Sequence, residues 1–258
     1  MASKEQGVIL EVQSVSMKFG ELFANKDVSF EVERGNIVAL IGPNGAGKTT
    51  VFNCIAGYYK PYAGEILFEG EKITRLPSWR IARKGLARTF QVVRPLKEMT
   101  VLDNIMIGAY QKEASTAKAK EIAKACMKTC FLEEWADRTA GDMTEGNKKR
   151  LEVARALATS PKLLLLDEAV AGLTSTEVQE MVAVIKNLKA QGISILMVEH
   201  IMEAIMPIAD KVVVLSHGEK IAQGSPAEIV RNQEVITAYF GEKYARRIME
   251  AEGKGRQA

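Results

Sequence analysis

Gly42-Pro43-Asn44-Gly45-Ala46-Gly47-Lys48-Thr49 stands between the apolar run Ile37-Val38-Ala39-Leu40-Ile41 and a helix whose pattern starts near Lys48. Strand, glycine loop and helix in that order make a phosphate-binding loop. The glycines let successive backbone N–H groups turn inward onto phosphate oxygens. The helix aims its positive N-terminal end at the same point. Lys48 is placed to reach the outer phosphates, and Thr49, followed by Thr50, offers a hard oxygen of the kind Mg²⁺ prefers. A plain glycine turn would account for the glycines, but not for the lysine, the hydroxyls and the strand together.

Outward from the loop, the first third is rich in strand patterns. Val8 to Val15 and Val28 to Val32 alternate, and Glu65 to Ile73 forms a hairpin pattern. Pro77 to Gly85 predicts a short basic helix, followed by a strand ending near Gln91. From about Pro95 to Ser160 strand patterns give way to helical ones rich in Ala, Lys, Glu, Met and Leu. The last of these helices spans about Gly146 to Ala158. Leu163-Leu164-Leu165-Leu166 then predicts a strand buried on both faces of a parallel sheet. Helix Ser175 to Gln191, strand Ile193 to Val198, a helix after His200, strand Val212 to Leu215, a turn at Ser216 to Glu219 into a further strand, and a helical end from Pro226 complete the chain.

Composition excludes several classes. Hydrophobic residues are 47% and charged residues 26%, the usual balance of a globular chain. A net charge of +3 gives no argument for nucleic acid. No apolar run approaches the ~18 residues that span a membrane, and the first residues show no signal-peptide pattern. Cys54, Cys126 and Cys130 have no metal spacing with His200 and His217, so free thiols are expected.

Three further features bear on chemistry. Asp167-Glu168 follows the four leucines, where α/β folds bind ligands. Asp167 suits a metal contact, and Glu168 can orient or deprotonate a water; alone, the pair would also serve as a helix N-cap. Gln91 ends a strand and could touch a metal or the attacking water, or be simply solvated. His200 follows a third strand and could reach the outermost phosphate, or be structural.

The ordered set GPNGAGKTT, Gln91, LLLLDE and His200 resembles the ATP-binding subunits of ABC transporters, over residues 8 to 241. The resemblance implies that the loop is the Walker A motif, Leu163 to Asp167 the Walker B motif, Gln91 the Q-loop and His200 the switch histidine. Phe19 matches the aromatic that stacks on adenine. Met143-Thr144-Glu145-Gly146-Asn147 stands where the family carries its LSGGQ signature, and Ala171-Gly172-Leu173-Thr174 matches the D-loop. Glu145 departs from the pattern by putting a charge where glycine is usual. At ~8 Å and an effective dielectric of ~20 its repulsion from a phosphate charge is ~2 kcal/mol before Mg²⁺ and salt reduce it, enough to weaken the site ~10-fold or more. Ala169 replaces the family's proline.

Within the family, Arg88-Thr89-Phe90-Gln91, Glu98 to Asn104, Ala171-Gly172-Leu173 and the tail Val235 to Glu242 are most like the ATPases of branched-chain or hydrophobic amino-acid uptake. This implies an α/β fold: a P-loop NTPase core, mostly parallel sheet with helices, an N-terminal antiparallel β subdomain and an inserted α-helical subdomain. Residues 1–241 would be one nucleotide-binding domain, with 1–92 and 161–241 forming the core, 93–160 the helical insertion, and 242–258 a helical tail. It also implies ATP and Mg²⁺, integral-membrane permeases, a second ATPase (self or paralogue) paired head to tail, and indirectly a solute-binding protein, at the cytoplasmic face of the inner membrane. The other classes weighed are a soluble non-transport ABC ATPase and a weakly hydrolysing regulatory subunit. The basic residues Lys72, Arg75, Arg80, Arg83, Lys84 and Arg88 read as a solvated face, with lipid headgroups the alternative.

Overall fold

The computed structural model describes residues 7–90 and 94–240. The chain begins with two long strands, β1 (Val8–Phe19) and β2 (Leu22–Glu33), paired antiparallel. Both run further than alternation predicts. The pairing slips between Val12 and Val15, between Val15 and Met17, and between Met17 and Lys18. Each slip resets which face a side chain takes, so an even in–out rhythm is lost although the ladder continues. Next come β3 (Ile37–Ile41), α1 (Lys48–Ile55), β4 (Ala63–Phe68), β5 (Glu71–Lys72), α2 (Ser78–Lys84) and β6 (Leu86–Arg88). Strand β6 ends at Arg88, three residues before the predicted limit at Gln91, which lies outside the described residues.

The helical stretch holds α3 (Val101–Ala109), α4 (Thr116–Thr129) and α5 (Glu145–Leu157). Thr100, Ser115 and Thr144 cap them, each side chain accepting a backbone N–H of the first turn. The chain returns through β7 (Leu163–Asp167), α6 (Ser175–Ala190), β8 (Ser194–Val198), α7 (Met202–Ile205), β9 (Lys211–Ser216), β10 (Glu219–Gly224), α8 (Pro226–Val230) and α9 (Gln233–Phe240). The helix predicted after His200 is only the single turn of α7. The predicted tail helix 242–258 lies outside the described residues.

Two sheets result. One is antiparallel, in the order β2-β1-β4-β5; the other has six strands in the order β10-β9-β3-β8-β7-β6, parallel except for β10. The six-stranded sheet separates two apolar cores, and strand alternation decides who enters which. Leu163 and Leu165 join Val38, Leu40, Leu196 and Val198 beneath α1 and the antiparallel sheet. Leu164 and Leu166 join Ile37, Ala39, Ile195 and Met197 on the face covered by α5 and α6. All four leucines have 0% exposure; at about 2 kcal/mol each they bind both layers to one strand.

Register then sets the active edge. Leu40 of β3 pairs with Val198 of β8, and Val198 also pairs with Asp167 of β7. The loop after β3, His200 after β8 and Asp167-Glu168 after β7 therefore leave the sheet at the same carboxyl edge, where parallel α/β sheets hold ligands.

Candidate active site

The phosphate loop is braced from behind. The Gly218 N–H donates to the Ala46 carbonyl at 3.2 Å, and buried Asn25 donates through Nδ2 to the Gly47 carbonyl at 3.2 Å. Gly47 caps α1 with no side-chain bond, and the first turn of α1 holds no acidic residue, so nothing of the helix's own neutralises its N-terminal donors. Lys48 is 8% exposed and donates through Nζ to the carbonyls of Gly42 at 2.6 Å and Pro43 at 2.9 Å. Two of its three N–H groups thus hold its ammonium across the mouth of the loop. Burial lowers the Lys48 pKa, and the charge of Glu168 acts against that lowering. Thr49 is exposed and Thr50 half-buried, while Asn44 and Gly45 form the exposed tip.

Asp167 is 3% exposed. Arg88 Nη2 donates to its Oδ2 at 2.8 Å, and the Thr89 hydroxyl accepts its backbone N–H at 3.2 Å. Burial raises its pKa, and the Arg88 bond and charge oppose the rise. Glu168 adopts a left-handed backbone, φ 49°, uncommon for a residue with a side chain. Its N–H donates to Val198 O at 2.9 Å and its carbonyl accepts Lys149 Nζ at 2.9 Å. Lys149, on α5, also donates to the Ala171 carbonyl at 2.7 Å. One buried ammonium thus fixes both ends of the segment after β7.

His200 is exposed at the end of β8. Its neighbour Glu199 has 0% exposure, and Oε1 accepts the Val170 N–H at 2.9 Å, while the buried Oε2 has no hydrogen-bond partner among the described residues. Burial pushes the Glu199 pKa from 4.5 up to about 7. Between those values the folded chain holds a proton that the unfolded chain has released, so stability falls as pH rises through this window and the loss is complete above it. The shift bounds the effect at about 3 kcal/mol. Glu199→Gln keeps an acceptor for Val170 without the charge. Chemical denaturation should find it equal to the parent at pH 5 and more stable by about 1–3 kcal/mol at pH 8; parallel curves at both pH values would refute the assignment.

Phe19 ends β1, 45% exposed, with Tyr59 edge-on at 5.3 Å between ring centres. Thr144 caps α5 and accepts the Asn147 N–H at 3.3 Å. Glu145 is exposed in the first turn, where the helix's own dipole favours a negative charge. A Cβ on Gly146 would lie 2.4 Å from Glu177 Oε1 of α6, so a larger residue there would have to displace the Glu177 side chain. Buried Asn147 receives the Arg150 guanidinium, which also meets Glu180 at 3.3 Å. The turn is thus braced on α6.

Sequence reasoning missed Arg88, Lys149, Glu152, Glu199 and Tyr59. Glu152 is 5% exposed and accepts the Phe90 N–H at 2.8 Å, tying α5 to the segment that leads to Gln91; burial raises its pKa to about 7. The expected solvated basic face holds for Lys72, Arg75, Arg80 and Arg83, which are exposed, but not for Arg88. Arg88 points inward, Lys72 and Lys84 pair with Glu65 and Glu71, and Arg80 and Arg83 lie over Trp79 at 5.1 and 5.3 Å. The three cysteines are free and buried, and burial pushes the Cys54 and Cys126 thiols up to about 12.

Among the described residues no group of three or more His, Cys, Asp or Glu side chains could cage a metal. What the edge offers instead is one buried carboxylate, an accessible hydroxyl and the N-terminus of α1, which no side chain caps. That set fits a hydrated Mg²⁺ that arrives on a phosphate chain, since Mg²⁺ keeps several waters and needs few protein ligands.

The family model for ABC transporters matches residues 25–171, more than half of the chain, and that for branched-chain amino acid ATP-binding cassette transporters matches 219–245. The chain is 42% identical over 250 residues to the high-affinity branched-chain amino acid transport ATP-binding protein BraF of Pseudomonas aeruginosa, covering 91% of this chain and 98% of that one. It superposes with a TM-score of 0.83 on the crystal structure of the ADP conformation of an ABC transporter's ATP-binding cassette, 32% identical, covering 92% of this chain and all of that one. A dimeric bacterial ABC transporter cassette gives a TM-score of 0.76 at 25% identity, covering 84% of this chain and 99% of the other.

Proposed function

This chain belongs to the ABC transporter family as one of its ATP-hydrolysing subunits, and from that premise we propose that it drives import of branched-chain or other hydrophobic amino acids. The observation that carries the ATPase reading is the meeting of the phosphate loop, Asp167-Glu168 and His200 on one sheet edge. The match of residues 219–245 and the similarity to BraF support the choice of solute.

We assign the roles as follows. Gly42 to Thr50 hold the ATP phosphates, with backbone N–H groups and Lys48 balancing their charge. Phe19 stacks on the adenine. Thr49, Asp167 and Gln91 would hold Mg²⁺, which when bound would neutralise charge on the phosphates. Glu168 orients and deprotonates the attacking water, and His200 reaches the γ-phosphate side. The segment Thr144 to Asn147 is braced on α6 rather than on the phosphate loop of its own chain. Its helix N-terminus serves the ATP of a second ATPase, in a head-to-tail dimer. Closure around two nucleotides then shifts the permeases by differential binding to the closed state.

The domain reading fits the same scheme: 1–92 and 161–241 as the core, 93–160 as the helical insertion. A groove of about 330 Å³ between them, lined by Tyr58, Trp79, Arg88, Phe90, Gln111 and Glu152, is the place for a permease's cytoplasmic helix. No helix among the described residues is long and apolar enough to cross a membrane. The similarity to transporter ATP-binding proteins supports a peripheral subunit held at the cytoplasmic face through its permeases.

ATP turnover measured against protein concentration, beside Glu145→Gly, tests the pairing. Turnover should rise with the square of concentration, and removing the Glu145 charge should raise it by up to about 10-fold. Silence of both proteins at every concentration would rule out self-pairing and require a paralogous ATPase to complete each site. Stimulation by permeases and a leucine-loaded binding protein in proteoliposomes tests the solute; no response to any hydrophobic amino acid would overturn it.

A further inference from the structure

Arg88 lies at a junction that none of the roles above uses. Its side chain is 12% exposed, and its guanidinium donates to Asp167 Oδ2 at 2.8 Å, to Asn53 on α1, and to the Thr89 carbonyl at 3.2 Å. The guanidinium carbon lies 5.0 Å from the centre of the Phe52 ring, 5.1 Å from that of Tyr58 and 5.5 Å from that of Phe90. Phe52 is wholly buried. Tyr58 and Phe90 are 51% and 45% exposed, meet edge to face at 6.2 Å, and form the groove's aromatic wall. One planar cation thus touches the phosphate-loop helix, the carboxylate at the end of β7 and the wall of the groove. A lysine offers neither the fork nor the stacking face that this position uses.

We propose that Arg88 is a positioning residue that competes with the nucleotide's divalent cation for Asp167, and that the Tyr58–Phe90 wall sets the strength of the competition. The proposal rests on Asp167 being the metal-side carboxylate. Arg88 occupies one carboxylate oxygen and repels any second cation brought to the other. Each partner therefore weakens the other's hold on Asp167, and by linkage whatever steadies the guanidinium loosens the metal. A helix pressed against Tyr58 and Phe90 would change cation affinity at Asp167 without touching the nucleotide.

The test uses the full chain and a fluorescent, non-hydrolysable ATP analogue, with binding followed as Mg²⁺ is titrated. Arg88→Met removes the charge at similar volume and should lower half-saturating Mg²⁺ by about 3- to 10-fold. Tyr58→Leu, on the groove surface and away from Asp167, should shift it the same way by less. Arg88→Lys, which keeps the charge but loses the fork and the stacking face, should fall between the parent and Arg88→Met. Binding in EDTA should change less than about 2-fold in all three. A changed melting temperature with an unchanged Mg²⁺ midpoint in Arg88→Met and Tyr58→Leu would make Arg88 a structural ion pair and overturn the proposal. If Arg88→Met does not fold, Tyr58→Leu decides alone. A parent protein that binds the analogue with no dependence on Mg²⁺ would instead sink the assignment of Asp167, and the role of Arg88 with it.

Discussion

Glu168→Gln will bind ATP at least as tightly as the parent, accumulate as a closed ATP-bound dimer, and turn over at least about 100-fold more slowly, the lower bound for loss of a positioned general base. The substitution is selective because glutamine preserves the backbone bonds that hold the segment after β7. Glu168 is fixed by its N–H on Val198 O at 2.9 Å and by Lys149 on its carbonyl at 2.9 Å. Glutamine keeps both bonds and the same shape. The left-handed φ of 49° costs about 1 kcal/mol or more in either protein, so that strain cancels in the comparison. What changes is one negative charge and one basic site. The charge of Glu168 acts on Lys48, which places it in the electrostatic reach of the phosphate loop. Its removal leaves Lys48 more available to phosphate and takes away repulsion from the γ-phosphate, so affinity holds or rises while the chemical step fails. Size-exclusion chromatography with ATP, alongside single-turnover hydrolysis, reads both effects. A monomeric variant with parental turnover would remove Glu168 from the mechanism.

The phosphate loop was legible in the sequence because every requirement falls within eight consecutive residues. The turn, the reach of the lysine and the helix start are local. The double-sided burial of β7 was legible for a similar reason, since four leucines in a row leave neither face polar. The bonds that aim the site were not legible, because their partners are distant along the chain. Arg88 and Asp167 are 79 residues apart, Phe90 and Glu152 are 62, Val170 and Glu199 are 29, and Lys149 and Glu168 are 19. A weak signal existed. Glu152 stands between Leu151 and Val153 on a helix packed into the core, and Glu199 follows a buried strand; a charge in such a place needs a partner. The lengths of β1 and β2 were hidden by register slips, which no count of alternation detects.

Gly42→Ala should abolish nucleotide binding, weakening it more than about 100-fold, whereas Gly45→Ala, three residues on in the same loop, should cost only a few-fold. Both glycines have positive φ, 150° and 78°, so both replacements incur a backbone penalty of roughly 1–2 kcal/mol. Their surroundings differ. A Cβ at Gly45 meets nothing within 4 Å, while one at Gly42 would lie 2.1 Å from the carbonyl oxygen of Leu215. That carbonyl cannot retreat. Leu215 has 0% exposure, pairs with Lys220 of β10, and follows Val214, which pairs with Ile41 of β3. Moving it would disturb β9, which is paired on both sides by β10 and β3, so the loop must move instead. The Gly42 carbonyl then leaves Lys48, whose Nζ it holds at 2.6 Å, and the ammonium loses its place over the loop mouth. The two variants, compared by melting temperature and by binding of a fluorescent nucleotide, separate strain from collision. Gly45→Ala should lose about 2–4 °C per kcal/mol of strain and still bind. Gly42→Ala should fold less stably and bind nothing measurable; parental affinity in that variant would mean that Leu215 does not set the position of the loop.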